Sequence, residues 1–238
     1  MGDVRNKEDL YGAFAEVGKV LSNGKRIEIL DVLSQGERSV EVLAERVSAS
    51  ITTTSAHLQI MRRSGLVLTR REGTHIYYSL ASFDVVKLLE TFRSVARMHY
   101  ERVEPALERY TGSSDVETVD RDTLQSRWSQ GNIVILDVRP HEEYLAGHIP
   151  GAISIPLERL SDEIEMVFAS GSTYASTLSE VEQGRVTPAD VEIVVYCRGT
   201  YCSFANDALA ILRDHSLKAI RLSDGFTEWR VAGCEVEV

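Results

Sequence analysis

The segment VEIVVYCRGTYCSFANDALAILRDH, residues 191–215, places two of the chain's three cysteines, Cys197 and Cys202, at the ends of one tight loop. An apolar strand leads in, and a helix is predicted to begin near Cys202-Ser203. In such a turn successive backbone N–H groups can converge on one concavity, and the helix N-terminus adds partial positive charge. A thiol there loses its proton more readily, because the thiolate is the form the site stabilises. Cys197, Arg198, Gly199, Thr200, Tyr201 and Cys202 are therefore the candidate catalytic set. Cys197 is the expected nucleophile, ionised at neutral pH. Arg198 adds charge or pins the loop, and Gly199 permits backbone conformations that side chains forbid. The cradle suits an anion such as thiosulfate, or the outer sulfur of a persulfide. Two readings of Cys202 stand. It can attack a Cys197 persulfide or sulfenic acid to close a disulfide or polysulfide bridge, or it can simply start the helix as a small apolar residue. Cys234 reads as structural.

The elements that must position this loop are short Val- and Ile-rich runs, NIVILDV and VEIVVY, separated by helical patterns (DTLQSRWSQ, SFANDALAILRDH). Nearly continuous apolar runs suit strands buried on both faces of a parallel sheet, so residues 116–238 are predicted to form an α/β domain. The stretch Ser161–Glu192 is long for a connection, and its Ser/Thr/Gly-rich middle suggests a loop or lid. Pro105 interrupts a long helical pattern, and YTGSSD (110–115) marks a domain joint.

Residues 1–110 read differently. Leu10, Phe14, Val17, Val20 and Leu21 recur at helical spacing, and so do Ile27, Leu30 and Leu33. SVEVLAERV is a short third helix capped by Ser39. SASITTTSAHLQIMRRSG has Ser50 as N-cap, Leu58 and Met61 for the core and Gly65 as the stop. LVLTRREGTHIYYSL alternates around Glu72-Gly73 and is a β-hairpin. Helix–turn–helix followed by a hairpin is a mainly-α winged helix. The fold class is thus multidomain: a winged helix-turn-helix followed by an α/β domain with a parallel sheet.

A recognition helix needs short polar side chains where it enters the major groove. Thr52, Thr53, Thr54, Ser55, His57 and Gln59 supply them. Arg62 and Arg63, later on the helix, and Arg70, Arg71 and His75 on the hairpin are placed for backbone contact. Charge agrees with that division. Residues 1–110 hold 16 Lys and Arg against 15 Asp and Glu, whereas 111–238 hold 10 against 21, a net −11 that would repel phosphates.

The segments LSNGKRIEILDVL, VLAERVSASITTTSAHLQIMRRSGLV and RREGTHIYYSL resemble the ArsR family of dimeric bacterial repressors. The resemblance implies that Thr52 to Gln59 lie on the base-contacting helix, Arg70 to His75 on the wing, and the dimer face on about Tyr11–Leu21 and Phe83–Arg102. Val85, Leu88, Leu89, Phe92 and Val95 form a fitting apolar stripe, which intramolecular packing would explain equally. Many members sense metals through third-helix cysteines. That helix has none here, and His75 and His99 are scattered, so no metal and no cofactor are expected.

Residues 116–238 resemble the rhodanese family of sulfurtransferases through ILDVRPHEEYLAGHIPGAISIP, YCRGTYC and LSDGFTEWRVAG. The resemblance implies that Cys197 accepts sulfur within a cradle of Arg198 to Cys202. It further implies that Asp137, Arg139, His148 and Gly151 stabilise the fold beside it, and that Gly225 and Trp229 are a structural turn and a packing position. Cysteine phosphatases and arsenate reductases share the architecture, but they place an Arg six residues after the nucleophile, where this chain has Ser203, and His before it, where this chain has Tyr196.

The combined expectation is a homodimeric, cytoplasmic repressor of double-stranded operator DNA that responds to thiosulfate, persulfide or polysulfide through Cys197. A sulfurtransferase that uses its winged helix for dimerisation or autoregulation is the alternative. A Cys197–Cys202 dithiol redox switch is the third reading. No apolar run approaches the length of a membrane span.

Overall fold

The computed structural model describes residues 7–112, 116–128, 133–169 and 192–238. The chain divides into two compact units, Met1–Val95 and Ala96–Val238. The sequence places the joint later, at 110–115, of which 113–115 lie outside the described residues.

In the first unit, helices α1 (Lys7–Gly18), α2 (Gly24–Ser34), α3 (Val40–Arg46) and α4 (Ile51–Arg63) precede a hairpin of β2 (Val67–Glu72) and β3 (His75–Leu80), with α5 (Phe83–His99) after it. A two-residue strand β1 (Arg38–Ser39) pairs with β3 and completes the antiparallel order β1-β3-β2. The helices start where side chains can satisfy their free N–H groups. Ser39 Oγ accepts from Val42 N–H and Ser50 Oγ from Thr53 N–H, as expected, and Asn23 caps α2 in the same way. Gly65 ends α4 at φ +73°, a left-handed conformation that side chains resist. The hairpin runs in register from Val67↔Leu80 to Glu72↔His75, so its two-residue turn is Gly73-Thr74, one residue later than the sequence suggests. Ile29, Leu30, Leu43, Leu58, Met61 and Leu89 close the core of this winged helix.

The second unit is built on a five-stranded parallel sheet of order β4-β8-β7-β5-β6. Its strands are β4 (Thr118–Val119), β5 (Ile133–Asp137), β6 (Ile153–Ser154), β7 (Glu192–Tyr196) and β8 (Ala219–Leu222). The helices are α6 (Val103–Thr111), α7 (Arg121–Trp128), α8 (His141–Leu145), α9 (Leu157–Ala169), α10 (Phe204–Asp214) and α11 (Phe226–Val231). Pro105 lies in the first turn of α6, where its missing N–H breaks no helical bond.

Alternation along the strands divides the core in two. Val134, Leu136, Ile193 and Val195 pack on Leu160 and Ile164 of α9 and Ala208, Leu209 and Leu212 of α10. Ile133, Ile135, Val194, Tyr196 and Ile220 pack on Leu124 of α7 and Phe226 and Trp229 of α11. Both faces are thus covered, which explains the near-continuous apolar runs. Of the long connection, 170–191 lies outside the described residues, and so does the lid expected there.

Candidate functional sites

The thiol loop runs from the end of β7 to Ser203, the residue before α10. Three tertiary anchors hold it. The Arg198 guanidinium is clasped by the buried Glu143 of α8, with Nε donating at 2.9 Å to Oε2 and a second nitrogen donating at 2.5 Å to Oε1. Glu228 of α11 accepts from the Thr200 amide at 2.9 Å and the Gly225 amide at 3.0 Å. The α11 start also donates back, from Phe226 N–H to Cys197 O and from Thr227 N–H to Arg198 O. Gly225 is required by this approach: a Cβ there would stand 2.2 Å from the Gly199 Cα. Arg221 of β8 reaches the loop's other side, toward the Gly199 and Thr200 carbonyls and the Asn206 side-chain oxygen.

Both sulfurs are inside, Cys197 at 2% exposure and Cys202 at 7%. The Cys197 thiol faces carbonyl oxygens, Gly199 O at 3.8 Å and Cys202 O at 3.7 Å, which favour S–H over S⁻. Burial pushes this thiol up, and its hydrogen bond to Cys202 adds to the effect. Cys202 moves the other way. The hydrogen bond from Cys197 lowers it most, helped by the Arg198 charge and the amides of Phe204 and Arg198, against the cost of burial. The amide-lined hollow therefore exists, and the two thiols in it shift in opposite directions, Cys202 down and Cys197 up. The expected strand–loop–helix order is right. Its charge distribution depends on which sulfur points at which backbone group, and spacing does not contain that.

Behind the loop lies a buried charged cluster. Asp137 and Arg139 are both fully buried, and Arg139 makes two side-chain bonds to Asp137 Oδ2 at 2.5 and 3.1 Å. Tyr196 Oη donates to the same carboxylate oxygen at 2.5 Å and accepts from Ile149 N–H. Arg139 also donates to Gly147 O and lies over the Phe226 ring at 4.0 Å. His148 stacks on Tyr144 with centroids 3.7 Å apart. Gly151, at φ +67°, packs against Trp128.

On the other unit, α4 presents Thr52, Thr53, Gln59, Arg62 and Arg63 to solvent, with Ser55 and His57 half-buried. Thr54 is at 0% exposure, so it belongs to the core and reads no base, correcting its place among the DNA contacts. Its hydroxyl and the buried His57 Nδ1 have no hydrogen-bond partner among the described residues. Burial and the nearby Arg26 charge lower the His57 pKa, so this imidazole is neutral. On the wing, the Arg70 guanidinium is exposed, pairs with Glu37 and Glu72 and covers the Tyr77 ring. Arg71 and His75 remain exposed. Ile51 at the head of α4 is 52% exposed. The Thr54→Val variant should be more stable by about 1 kcal/mol, since it removes a buried unpartnered hydroxyl at nearly constant shape. Its operator affinity should match wild type, as urea titration and a gel shift would show.

Residues 120–232 match the rhodanese-like domain family and residues 21–70 match a helix-turn-helix domain family. The chain is 42% identical to the HTH-type transcriptional regulator Rv0324 of Mycobacterium tuberculosis over 236 residues, covering 99% of this chain and 95% of that one. The chain belongs to the ArsR-type winged-helix transcriptional regulators that carry a C-terminal rhodanese-like domain.

A further relative is the uncharacterized HTH-type transcriptional regulator Rv0081 of the same organism, 40% identical over 98 residues, covering 40% of this chain and 86% of that one. Among solved structures is the homodimeric winged helix-turn-helix fragment 1–100 of Mb0332 from Mycobacterium bovis. It is 45% identical and covers 43% of this chain and 94% of that one, at a TM-score of 0.40. In this regulator the stripe on α5 splits: Val85 and Leu89 are core, whereas Leu88, Phe92 and Val95 are exposed. Leu10, Tyr11 and Phe14 of α1 are more than half exposed. No helix among the described residues is long and apolar enough to cross a membrane, and no His/Cys/Asp/Glu group among them fits a metal ion.

Proposed function

We propose that this regulator is a homodimeric repressor that binds double-stranded operator DNA through α4 and the wing and senses sulfane sulfur at the Cys197–Cys202 pair. The observation that carries the reading is that the thiols of Cys197 and Cys202 are buried together in the loop that opens α10, with the amides of Phe204 and Arg198 directed at Cys202 and that of Ala205 at Cys197. Cys202 takes up sulfur as the attacking thiolate, and Cys197 stands ready to displace it and close a disulfide. This moves the first persulfide from Cys197, where the family resemblance puts it, to Cys202. The apolar faces of α1 and α5 are the dimer surface. Arg62, Arg63 and Arg71 supply phosphate contacts, and Thr52, Thr53 and Gln59 read bases.

A tenfold change in operator occupancy needs only about 1.4 kcal/mol of preference for one loop state. The test is a gel shift on the protein's own upstream DNA, with and without polysulfide, for wild type and the double variant Cys197→Ser/Cys202→Ser. Polysulfide should change wild-type binding and leave the double variant unaffected. Unchanged wild-type binding alongside cysteine-dependent transfer of sulfur to cyanide would establish the sulfurtransferase in its place.

A further inference from the structure

The thiol loop cannot take up sulfur without moving. Cys197 and Cys202 are unbonded and buried, at 2% and 7% exposure. A close-packed interior makes room for an added sulfur only by shifting its neighbours. A disulfide between the two cysteines would draw their sulfurs to about 2.05 Å, nearer than their present hydrogen-bonded contact. Either product displaces the residues enclosed between the cysteines, Arg198 to Tyr201.

One side chain touches two of those enclosed residues. Arg221 of β8 donates to Gly199 O at 3.5 Å and to Thr200 O at 3.4 Å. Both bonds are long, so a small displacement breaks or tightens them. Its third bond, at 3.0 Å, goes to Asn206 Oδ1 in the first turn of α10. The Asn206 side-chain amide donates in turn to Thr111 O at 2.6 Å, a carbonyl that the end of α6 leaves without a helical partner. Arg97 donates to Glu104 of the same helix through two nitrogens, at 2.7 and 2.8 Å. Arg97, Thr111, Thr200, Asn206 and Arg221 all line one cavity of about 140 Å³ in the second unit. Arg97 sits in the last turn of α5, the helix whose exposed Leu88, Phe92 and Val95 belong to the proposed dimer surface.

Resting on the sulfur-sensing reading above, we propose that Asn206 is a positioning residue that carries the state of the thiol loop to α6 and the end of α5, through Arg221 on one side and Thr111 O on the other. With polysulfide as donor, one thiolate takes its terminal sulfur, and the electron pair of the broken S–S bond leaves on the shorter polysulfide. The second thiol displaces that sulfur as hydrosulfide and releases its own proton. Two thiols are thereby oxidised to a disulfide, and one polysulfide bond is reduced. The enclosed carbonyls move off Arg221, Arg221 changes its hold on Asn206, and the Asn206 amide shifts against the end of α6. A carboxamide suits this place because one end accepts and the other donates, so it joins a guanidinium to a carbonyl.

The experiment takes the full-length protein, reduced or treated with inorganic polysulfide, and measures its affinity for its own upstream DNA by gel shift at an extent of modification fixed by intact mass. Wild type should change affinity on the order of tenfold between the two states. Asn206→Leu removes both side-chain bonds at nearly constant volume. It should keep the reduced-state affinity and load sulfur as wild type does, yet change affinity by about twofold or less. Asn206→Asp keeps the acceptor for Arg221 but sets an oxygen against Thr111 O, and it should lose the response in the same way. A change of wild-type size in either variant at equal modification would overturn the coupling while leaving sulfur sensing intact. Loss of DNA binding or of sulfur loading in the reduced variants would overturn it too, since Asn206 would then hold the fold or the thiol site together rather than report on it. If polysulfide leaves wild-type affinity unchanged, the sensing reading falls and this inference with it.

Discussion

Replacing Asp137 by Asn lowers the stability of the second unit by about 3–5 kcal/mol, the usual cost of leaving one partner of a buried ion pair uncompensated. Arg139 would then carry its charge at 0% exposure without the carboxylate that binds it most directly. Tyr196 would face an amide in place of the carboxylate that accepts from its buried hydroxyl. The measurement is urea unfolding followed by tryptophan fluorescence. Both tryptophans, Trp128 and Trp229, lie in the second unit, so the signal reports on that unit alone. Glu104→Gln is the control. Its pair with Arg97 is exposed on both sides, and such pairs contribute about 0–1 kcal/mol. A loss below about 1 kcal/mol in Asp137→Asn would mean that the buried cluster does not hold this fold together.

Cys202→Ser slows sulfur uptake from polysulfide at pH 7 more than Cys197→Ser does, because the thiolate is the reactive form and the Cys202 thiol is the one shifted down. What remains is Cys197, pushed up by burial and facing carbonyl oxygens. Cys197→Ser behaves differently. It keeps the amides and Arg198 around Cys202 but loses the Cys197 hydrogen bond, so uptake slows less, and a persulfide accumulates on Cys202 with no disulfide to follow. Mass spectrometry of the two variants after a short polysulfide pulse distinguishes these outcomes. Wild-type uptake should also level off at a lower pH than that of an ordinary cysteine, because the Cys202 thiol is shifted down. The assignment of the attacking sulfur would be reversed if Cys197→Ser were inert while Cys202→Ser loaded at the wild-type rate.

Much of this was legible from residue types and spacing, because it rests on local physics. Serine caps, a glycine stop and alternation around a turn mark the winged helix. Val/Ile runs flanked by helices mark a parallel sheet covered on both faces. A strand, Cys-Arg-Gly and a helix start mark an amide-lined loop. Each of these is decided within about one turn of chain. Other features turn on contacts between distant segments. Thr54 lies in a polar run, but helix rotation against the core turns it inward while Thr52 and Thr53 stay outside. Arg70 reads as an unpaired wing cation, but Glu37, from before β1, pairs with it. Glu143 and Glu228, which claim the thiol loop's cation and one of its amides, lie far from Cys197 in the sequence. The residues by themselves determined that two thiols share a loop beside a helix start. Only the packing of α8, α10 and α11 around that loop decided which donors and carbonyls each sulfur meets, because the groups that hold the loop come from segments distant in the sequence.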